Sequence, residues 1–277
     1  MSKWKVIGSS FVVIAILYVS QILAIMLASA TLLIGAPTLF YYIIARAAYF
    51  SLFLVLLKIV LEKMAHLSLF DYGIVLFSVK TLWLLIGVLL PLSVICIYAT
   101  FVPGKMVFAG MSGLKTIETL IGGVFFTGVA TGFVEEMAFR GVLLHSLKKA
   151  WNTKTAVIVS SILFGIVHIL GGGLSPVSCL MTVLSVATIG IAFSLITIET
   201  GTVWSSGIIH AVWNFIFDSV LSISTKTNDS AITTYVLATK SMALTGENFG
   251  IESSVISLML YIIIIALYLI KKRETKE

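Results

Sequence analysis

The chain has 277 residues, of which 59% are hydrophobic and only 11% are charged, and its formal net charge is +6. Soluble domains carry about 25% charged residues, so this composition excludes an ordinary soluble protein and indicates an integral membrane protein. The basic residues cluster at the ends of apolar runs, which indicates membrane orientation rather than nucleic-acid binding. Cys96 and Cys179 lie far apart in sequence and form neither a disulfide framework nor a CxxC metal pattern.

Runs of about 20 apolar residues predict membrane-spanning helices, and the chain contains eight candidates. They cover approximately residues 6–34, 38–61, 81–101, 119–144, 155–170, 176–198, 202–221 and 253–270. The polar stretches between them are expected to be loops, including residues 62–80 and the longest stretch, 222–252. We therefore predict an all-α, polytopic transmembrane helix bundle in which residues 1–277 form one membrane-embedded domain.

An even number of spans places both termini on the same side of the membrane. If that side is cytoplasmic, it holds twelve of the 18 Lys and Arg residues, and the opposite side holds four. This asymmetry is what the positive-inside rule requires. The apolar run at residues 6–27 exceeds the core of about 7 to 15 residues in a signal peptide, so we expect it to remain as the first span. The sequence thus predicts a multi-pass protein of the cell membrane with cytoplasmic termini.

The fourth span carries the run FVEEMAFR at residues 133–140, with two adjacent carboxylates and an arginine. A charge near the bilayer centre costs about 2.5 to 3.5 kcal/mol, so these side chains are expected to serve a purpose. Glu136 and Arg140 stand four residues apart and could form a structural ion pair on one helix face. Such a pair would leave Glu135 without a role, so the run indicates a functional site.

Other polar residues lie on two further spans. His168 is near the end of the fifth span, and His210, Asn214 and Asp218 follow one another at helical spacing on the seventh. Each could be a packing residue, since a histidine or an amide can hydrogen-bond neighbouring helices. Together with the two glutamates, however, they are hard to explain as packing, because intramembrane ionisable groups normally face one another. Arg46 is expected only to counter a buried acid such as Asp218, and His66 and His145 are expected to face solvent.

The combination of acid, imidazole and amide indicates hydrolysis. A carboxylate can take a proton from water, and a histidine can hold the same water. A second histidine and an amide NH₂ can stabilise the oxyanion formed when a carbonyl is attacked. No GxSxG motif marks a serine nucleophile. Glu135, His168 and His210 could instead hold a catalytic zinc ion, a minority alternative because the HExxH spacing is absent.

The three motifs resemble those of the CAAX-protease and bacteriocin-processing (Abi) family of intramembrane glutamic endopeptidases. The matching residues are Glu135-Glu136-x-x-x-Arg140, Phe164-x-x-x-His168 and His210-x-x-x-Asn214, and the motif region covers residues 119–221. The resemblance implies an eight-helix bundle whose water-filled cavity opens toward the cytoplasm and bilayer, with no cofactor required.

The resemblance also implies a role for each motif residue. Glu135 would be the general base together with His168, and Glu136 would be a supporting acid. Arg140 would position the glutamates, while His210 and Asn214 would form the oxyanion site. Some family members remove a C-terminal tripeptide after a prenylated cysteine, and bacterial members process peptides or confer immunity to them.

The leading hypothesis from the sequence is therefore an intramembrane endopeptidase that cleaves a membrane-associated peptide or a lipidated protein tail. An alternative is a non-proteolytic immunity or regulatory scaffold of the same family, because some members have lost the motifs. A transporter with a proton relay is a further alternative, although no inverted repeat is evident. The expected partners are peptide or lipidated-protein substrates and membrane lipid, not nucleic acid.

Overall fold

The computed structural model describes residues 3–65 and 68–274 of the chain. Its main helices are α1 Lys3–Leu33, α2 Thr38–Val60, α3 Thr81–Phe101, α4 Gly113–Ala150, α5 Thr153–Val167, α6 Pro176–Thr200, α7 Trp204–Phe215 and α8 Val255–Glu274. Within the described ranges, six helices are long and apolar enough to cross a membrane, and α5 and α7 are shorter. A π-helical turn, Ile216–Val220, extends α7. The predicted all-α polytopic bundle is confirmed, and each predicted span corresponds to one of these helices.

A small sheet at one end of the bundle was not predicted. Its strands are β1 Gly104–Phe108, β2 Leu221–Ser224 and β3 Thr233–Leu237, in the order β1-β3-β2. Strand β1 is antiparallel to β3, whereas β2 is parallel to it. The polar stretch 222–252 is therefore partly a sheet, and the prediction of a plain loop there is wrong.

The long helix α4 changes its winding on both sides of the two glutamates. The segment Gly132–Glu136 is α-helical, but Gly123–Thr131 before it and Met137–Leu143 after it are π-helical. The Thr131 hydroxyl donates to the Phe126 carbonyl, five residues back, at 3.2 Å. π-helical winding is rare, and where it interrupts an α-helix it is frequently found at a functional site.

Helices α4 and α7 pack closely because small residues face each other. A Cβ atom at Gly128 would lie 3.0 Å from the Ala211 oxygen, and one at Gly132 would lie 3.0 Å from the Ala211 nitrogen. Glycines spaced four apart let two membrane helices approach to backbone contact. His210 precedes Ala211, and Glu135 lies three residues after Gly132. The close contact of the two helices therefore brings His210 beside Glu135.

Two hydrophobic clusters build the core and meet at the centre of the bundle. The first joins α1, α2, α4 and α5 and includes Phe53, Met137 and Phe164. The second joins α3, α6, α7 and α8 and includes Trp83 and Phe193. The polar motif residues lie where these clusters meet, so apolar rings surround them on both sides.

Candidate active site

Glu135 lies between the two intramembrane histidines. Its Oε2 atom is 3.9 Å from His168 Nε2 and 3.9 Å from His210 Nε2. Both separations exceed direct hydrogen-bond length, and at such separations a bridging water is the usual intermediary. The three side chains keep 12% to 22% of their surface accessible, whereas the Oε2 atom of Glu135 is itself enclosed.

The second glutamate is fully enclosed and paired with the arginine. Glu136 Oε1 lies 2.9 Å from Arg140 Nη1 and 3.5 Å from His210 Nδ1. The Glu136 and Arg140 side chains are 0% and 1% exposed. The four-residue spacing therefore forms the expected ion pair, and this pair also holds one face of His210. A continuous row of polar side chains thus runs from Arg140 through Glu136 and His210 to Glu135.

Aromatic rings of both hydrophobic clusters sandwich the guanidinium of Arg140. Its Cζ atom lies 4.0 Å from the centroid of the Phe164 ring and 5.3 Å from that of Phe193. Gly190 leaves room for the group, since a Cβ there would lie 3.0 Å from Arg140 Nη2. A planar guanidinium can stack on the faces of aromatic rings, whereas the compact ammonium group of a lysine cannot.

A backbone carbonyl fixes the orientation of His168. Its Nδ1 atom lies 2.6 Å from the Phe164 oxygen, and its ring packs edge-to-face on the Phe164 ring at 4.6 Å. A carbonyl only accepts hydrogen bonds, so Nδ1 carries the proton and Nε2 of the neutral ring presents a lone pair toward Glu135. Phe164, which entered the sequence motif without an assigned role, thus orients both His168 and Arg140.

Asn214 lies one turn beyond His210 and is held by the π-helical part of α4. Its Nδ2 atom donates to the Thr127 carbonyl at 3.0 Å. Asn214, His168 and His210 line one cavity. One amide N–H is engaged by Thr127, and the second remains available for a ligand, because an NH₂ group carries two donors.

A second cavity meets the site from the side of α1 and α2. Tyr18, Tyr49, Glu135 and His168 are among its lining residues. His168 contributes to both cavities and therefore stands at their junction.

Three further sequence expectations have different outcomes. Arg46 and Asp218 line one cavity, but no ion pair joins them among the described residues. His145 is half-buried and not solvent-facing, since its Nδ1 lies 2.9 Å from the Arg140 oxygen and 2.8 Å from the Gly141 oxygen. His66 lies outside the described residues.

Several residues around the site escaped the sequence reasoning. Phe193 stacks on His210 with ring centroids 5.6 Å apart, and Trp213 Nε1 donates to Glu252 Oε1 at 2.7 Å. Phe193 had no distinguishing signal in an apolar span. Glu252 was a polar residue at the end of a predicted loop, and only the fold brings it near His210.

The described part of the chain contains no group of three or more His, Cys, Asp and Glu side chains arranged to hold a metal ion. His168 Nε2 and His210 Nε2 each lie 3.9 Å from Glu135 Oε2. The expectation that no cofactor is required stays a prediction.

Comparison with known protein families identifies the same region. Residues 117–216 match the family model described as type II CAAX prenyl endopeptidase, Rce1-like, and the matched range contains all three motifs. No curated protein and no solved structure matches the chain. The family match supports a membrane endopeptidase function. Residues 117–216 are thus similar to the Rce1-like CAAX protease family, and they lie within a multi-pass membrane protein.

Proposed function

We propose that this protein is a metal-independent intramembrane glutamic endopeptidase. The observation that carries the proposal is the position of Glu135 Oε2, 3.9 Å from Nε2 of both His168 and His210. One water molecule among these three groups would be within reach of a base and of the scissile carbonyl. The proposed substrate is a membrane-associated peptide or a lipidated, CAAX-type prenylated protein tail.

In the proposed mechanism, Glu135 takes a proton from this water while His168 holds it through the lone pair of Nε2. The water oxygen attacks the carbonyl carbon, and the carbonyl π pair moves to oxygen. When the tetrahedral intermediate collapses, the C–N bond breaks, and Glu135 returns the proton to the leaving nitrogen. The products are a carboxylic acid and an amine, so no co-reactant beyond water is needed.

The oxyanion would be stabilised from the cavity that His168, His210 and Asn214 line. The second N–H of Asn214 and a protonated Nε2 of His210 are the available donors, and such preorganised donors typically contribute about 10²- to 10³-fold in kcat. Arg140 and Glu136 would not touch substrate. They would hold His210 through its Nδ1 atom, and so fix the direction in which Nε2 points.

The proposed site is suited to a substrate that comes from the membrane. One cavity is bordered by α1 and α2, whose outer faces are rich in exposed apolar residues such as Phe11, Ile22, Met26 and Val55. A lipidated tail could therefore remain in the bilayer while its peptide bond enters the polar centre. The proposed location is the cell membrane, with both termini in the cytoplasm.

In the first test, three purified proteins are reconstituted in liposomes, and each is incubated with a library of proteome-derived peptides. They are the wild type, Glu135→Gln, and Glu118→Gln as a control on the same helix α4, where Glu118 pairs with Lys115 away from the site. We expect new peptide termini with the wild type and the control, and at least about a 100-fold loss of rate in Glu135→Gln. Equal cleavage by the wild type and Glu135→Gln would refute the glutamate mechanism.

The second test adds a chelator to the same reaction. We expect no loss of wild-type activity, because the proposed mechanism uses only side chains and water. Loss of activity on chelation, with recovery when zinc is restored, would contradict metal independence and favour a metallopeptidase.

A further inference from the structure

The cavity on the oxyanion side has apolar walls and one carboxylate. Phe193, Ile209, Trp213 and Tyr261 contribute to the walls, and Glu252 lines the same cavity as His168, His210 and Asn214. An acid in such surroundings is costly unless it is paired. Glu252 is not needed in the mechanism above.

Glu252 has one neutral partner and no cationic one among the described residues. The indole Nε1 of Trp213 donates to Oε1 at 2.7 Å, and no Lys, Arg or His of the described chain forms an ion pair with either oxygen. The side chain is partly buried. A carboxylate that is oriented by Trp213 and lacks a counter-ion is complementary to a cation from outside the protein.

The segment that carries Glu252 is firmly anchored. The Ser253 hydroxyl donates to the carbonyls of Gly246 and Gly250, both at 3.1 Å, and the Ser257 hydroxyl donates to the Ile251 carbonyl at 2.6 Å. Gly246 has a φ of +66°, and a Cβ there would lie 1.7 Å from the Gly250 oxygen. This turn tolerates no side chain at Gly246, so the position of Glu252 is built into the backbone and is preorganised for binding.

We propose that this cavity is a specificity subsite that takes a lysine or arginine side chain of the substrate next to the scissile bond, with Glu252 as its acceptor. Of the two proposed substrates, this subsite fits the membrane-associated peptide, because a prenylated cysteine and an aliphatic residue flank the bond cleaved in a CAAX-type tail. The proposal rests on the proposed peptidase function, because the cavity adjoins the residues that would hold the peptide carbonyl. The alkyl stem of the substrate side chain would pack on Trp213, Phe193 and Ile209, while its charged end meets the carboxylate. The aromatic walls would add cation–π attraction.

The first experiment extends the peptide-library assay to Glu252→Gln. This variant keeps an acceptor for Trp213 and the side-chain volume but removes the charge, and Glu247→Gln in the same segment is the matched control. In the wild type and the control, we expect Lys or Arg to exceed Met by about tenfold at one position next to the cleaved bond, because a hydrogen bond between charged groups is stronger than one between neutral groups. Glu252→Gln should lose this ratio. An unchanged ratio in Glu252→Gln, or no cation preference in the wild type, would overturn the proposal.

The second experiment separates the subsite from the peptidase function. The thermal unfolding of the detergent-purified wild type, Glu252→Gln and Glu247→Gln is measured with n-pentylamine and with n-pentanol as probes. We expect the amine to raise Tm relative to the alcohol in the wild type and in Glu247→Gln, but not in Glu252→Gln. If no Glu135-dependent cleavage is found, the proposed function fails, and this assay alone decides whether the cavity binds a cation. Equal shifts in all three proteins would refute the subsite.

Discussion

At the scale of single residues, the geometry of the candidate site depends on the neighbours that fix each charged side chain, and not on the charges alone. Arg140 is 1% exposed, yet it contacts one carboxylate at 2.9 Å and two aromatic rings. Removal of one partner from a buried pair typically costs about 3 to 5 kcal/mol, because the other charge remains buried. Arg140 therefore stabilises the fold and orients Glu136 and His210 at the same time.

This double role predicts the effect of Arg140→Lys. The variant keeps the charge but loses the planar stacking on Phe164, so we expect destabilisation of about 1 to 3 kcal/mol together with at least a tenfold fall in activity. The measurements are Tm in detergent and the rate of peptide cleavage in liposomes. Arg273→Lys, at the exposed end of α8, is the control and should change neither. Wild-type values for Arg140→Lys would show that charge alone suffices.

A different result is predicted for Asn214→Ala. If the second amide N–H acts only on the oxyanion, kcat should fall by about 10²- to 10³-fold with little change in KM. Thr127→Val is the control, since its carbonyl still accepts from Asn214 while its hydroxyl is lost. Steady-state kinetics on one identified peptide would measure both constants. A rise in KM at constant kcat would instead assign Asn214 to substrate binding.

At the scale of elements, the sequence predicts the helices well and the connections poorly. The runs of apolar residues that predict the spans reflect the need to satisfy backbone hydrogen bonds inside lipid, a constraint that acts on every residue of a span. The sheet has no such local signal, because its strands are short and the pairing of β1 with β3 sets Lys105 opposite Val236, far along the chain. Likewise, the motif residues can be recognised in the sequence as polar residues within apolar spans. Phe193 and Glu252 become functional candidates only because the fold brings them next to the motif residues.

The approach of α4 to α7 predicts the effect of Gly132→Leu. A Cβ atom at this position would lie 3.0 Å from the Ala211 nitrogen, so a leucine side chain would press on that backbone and push His210 away from Glu135. We expect a lower Tm and loss of cleavage, although every motif residue is retained. Gly113→Leu, on the same helix with nothing within 4 Å of its Cβ position, should be tolerated. Normal activity of Gly132→Leu would mean that this helix contact does not position the site.

At the scale of the whole molecule, the bundle places a polar centre between two apolar halves. The first cluster gathers α1, α2, α4 and α5, and the second gathers α3, α6, α7 and α8. Each half contributes part of the site, since Glu135 and His168 border the first and Phe193 and Trp213 belong to the second. This arrangement explains how a protein of low charge content can keep several ionisable groups near one another inside the membrane.

The orientation of the molecule in the membrane gives the last prediction. The positive-inside asymmetry predicts that Lys148, at the end of α4, faces the cytoplasm, whereas Asp229, between β2 and β3, lies on the opposite side together with the sheet. In a variant without Cys96 and Cys179, a single cysteine is introduced as Lys148→Cys or as Asp229→Cys. A membrane-impermeant maleimide should label Asp229→Cys in intact cells, but Lys148→Cys only after permeabilisation. The reverse pattern would contradict the predicted topology. It would also move the segment that carries Glu252 to the cytoplasmic face.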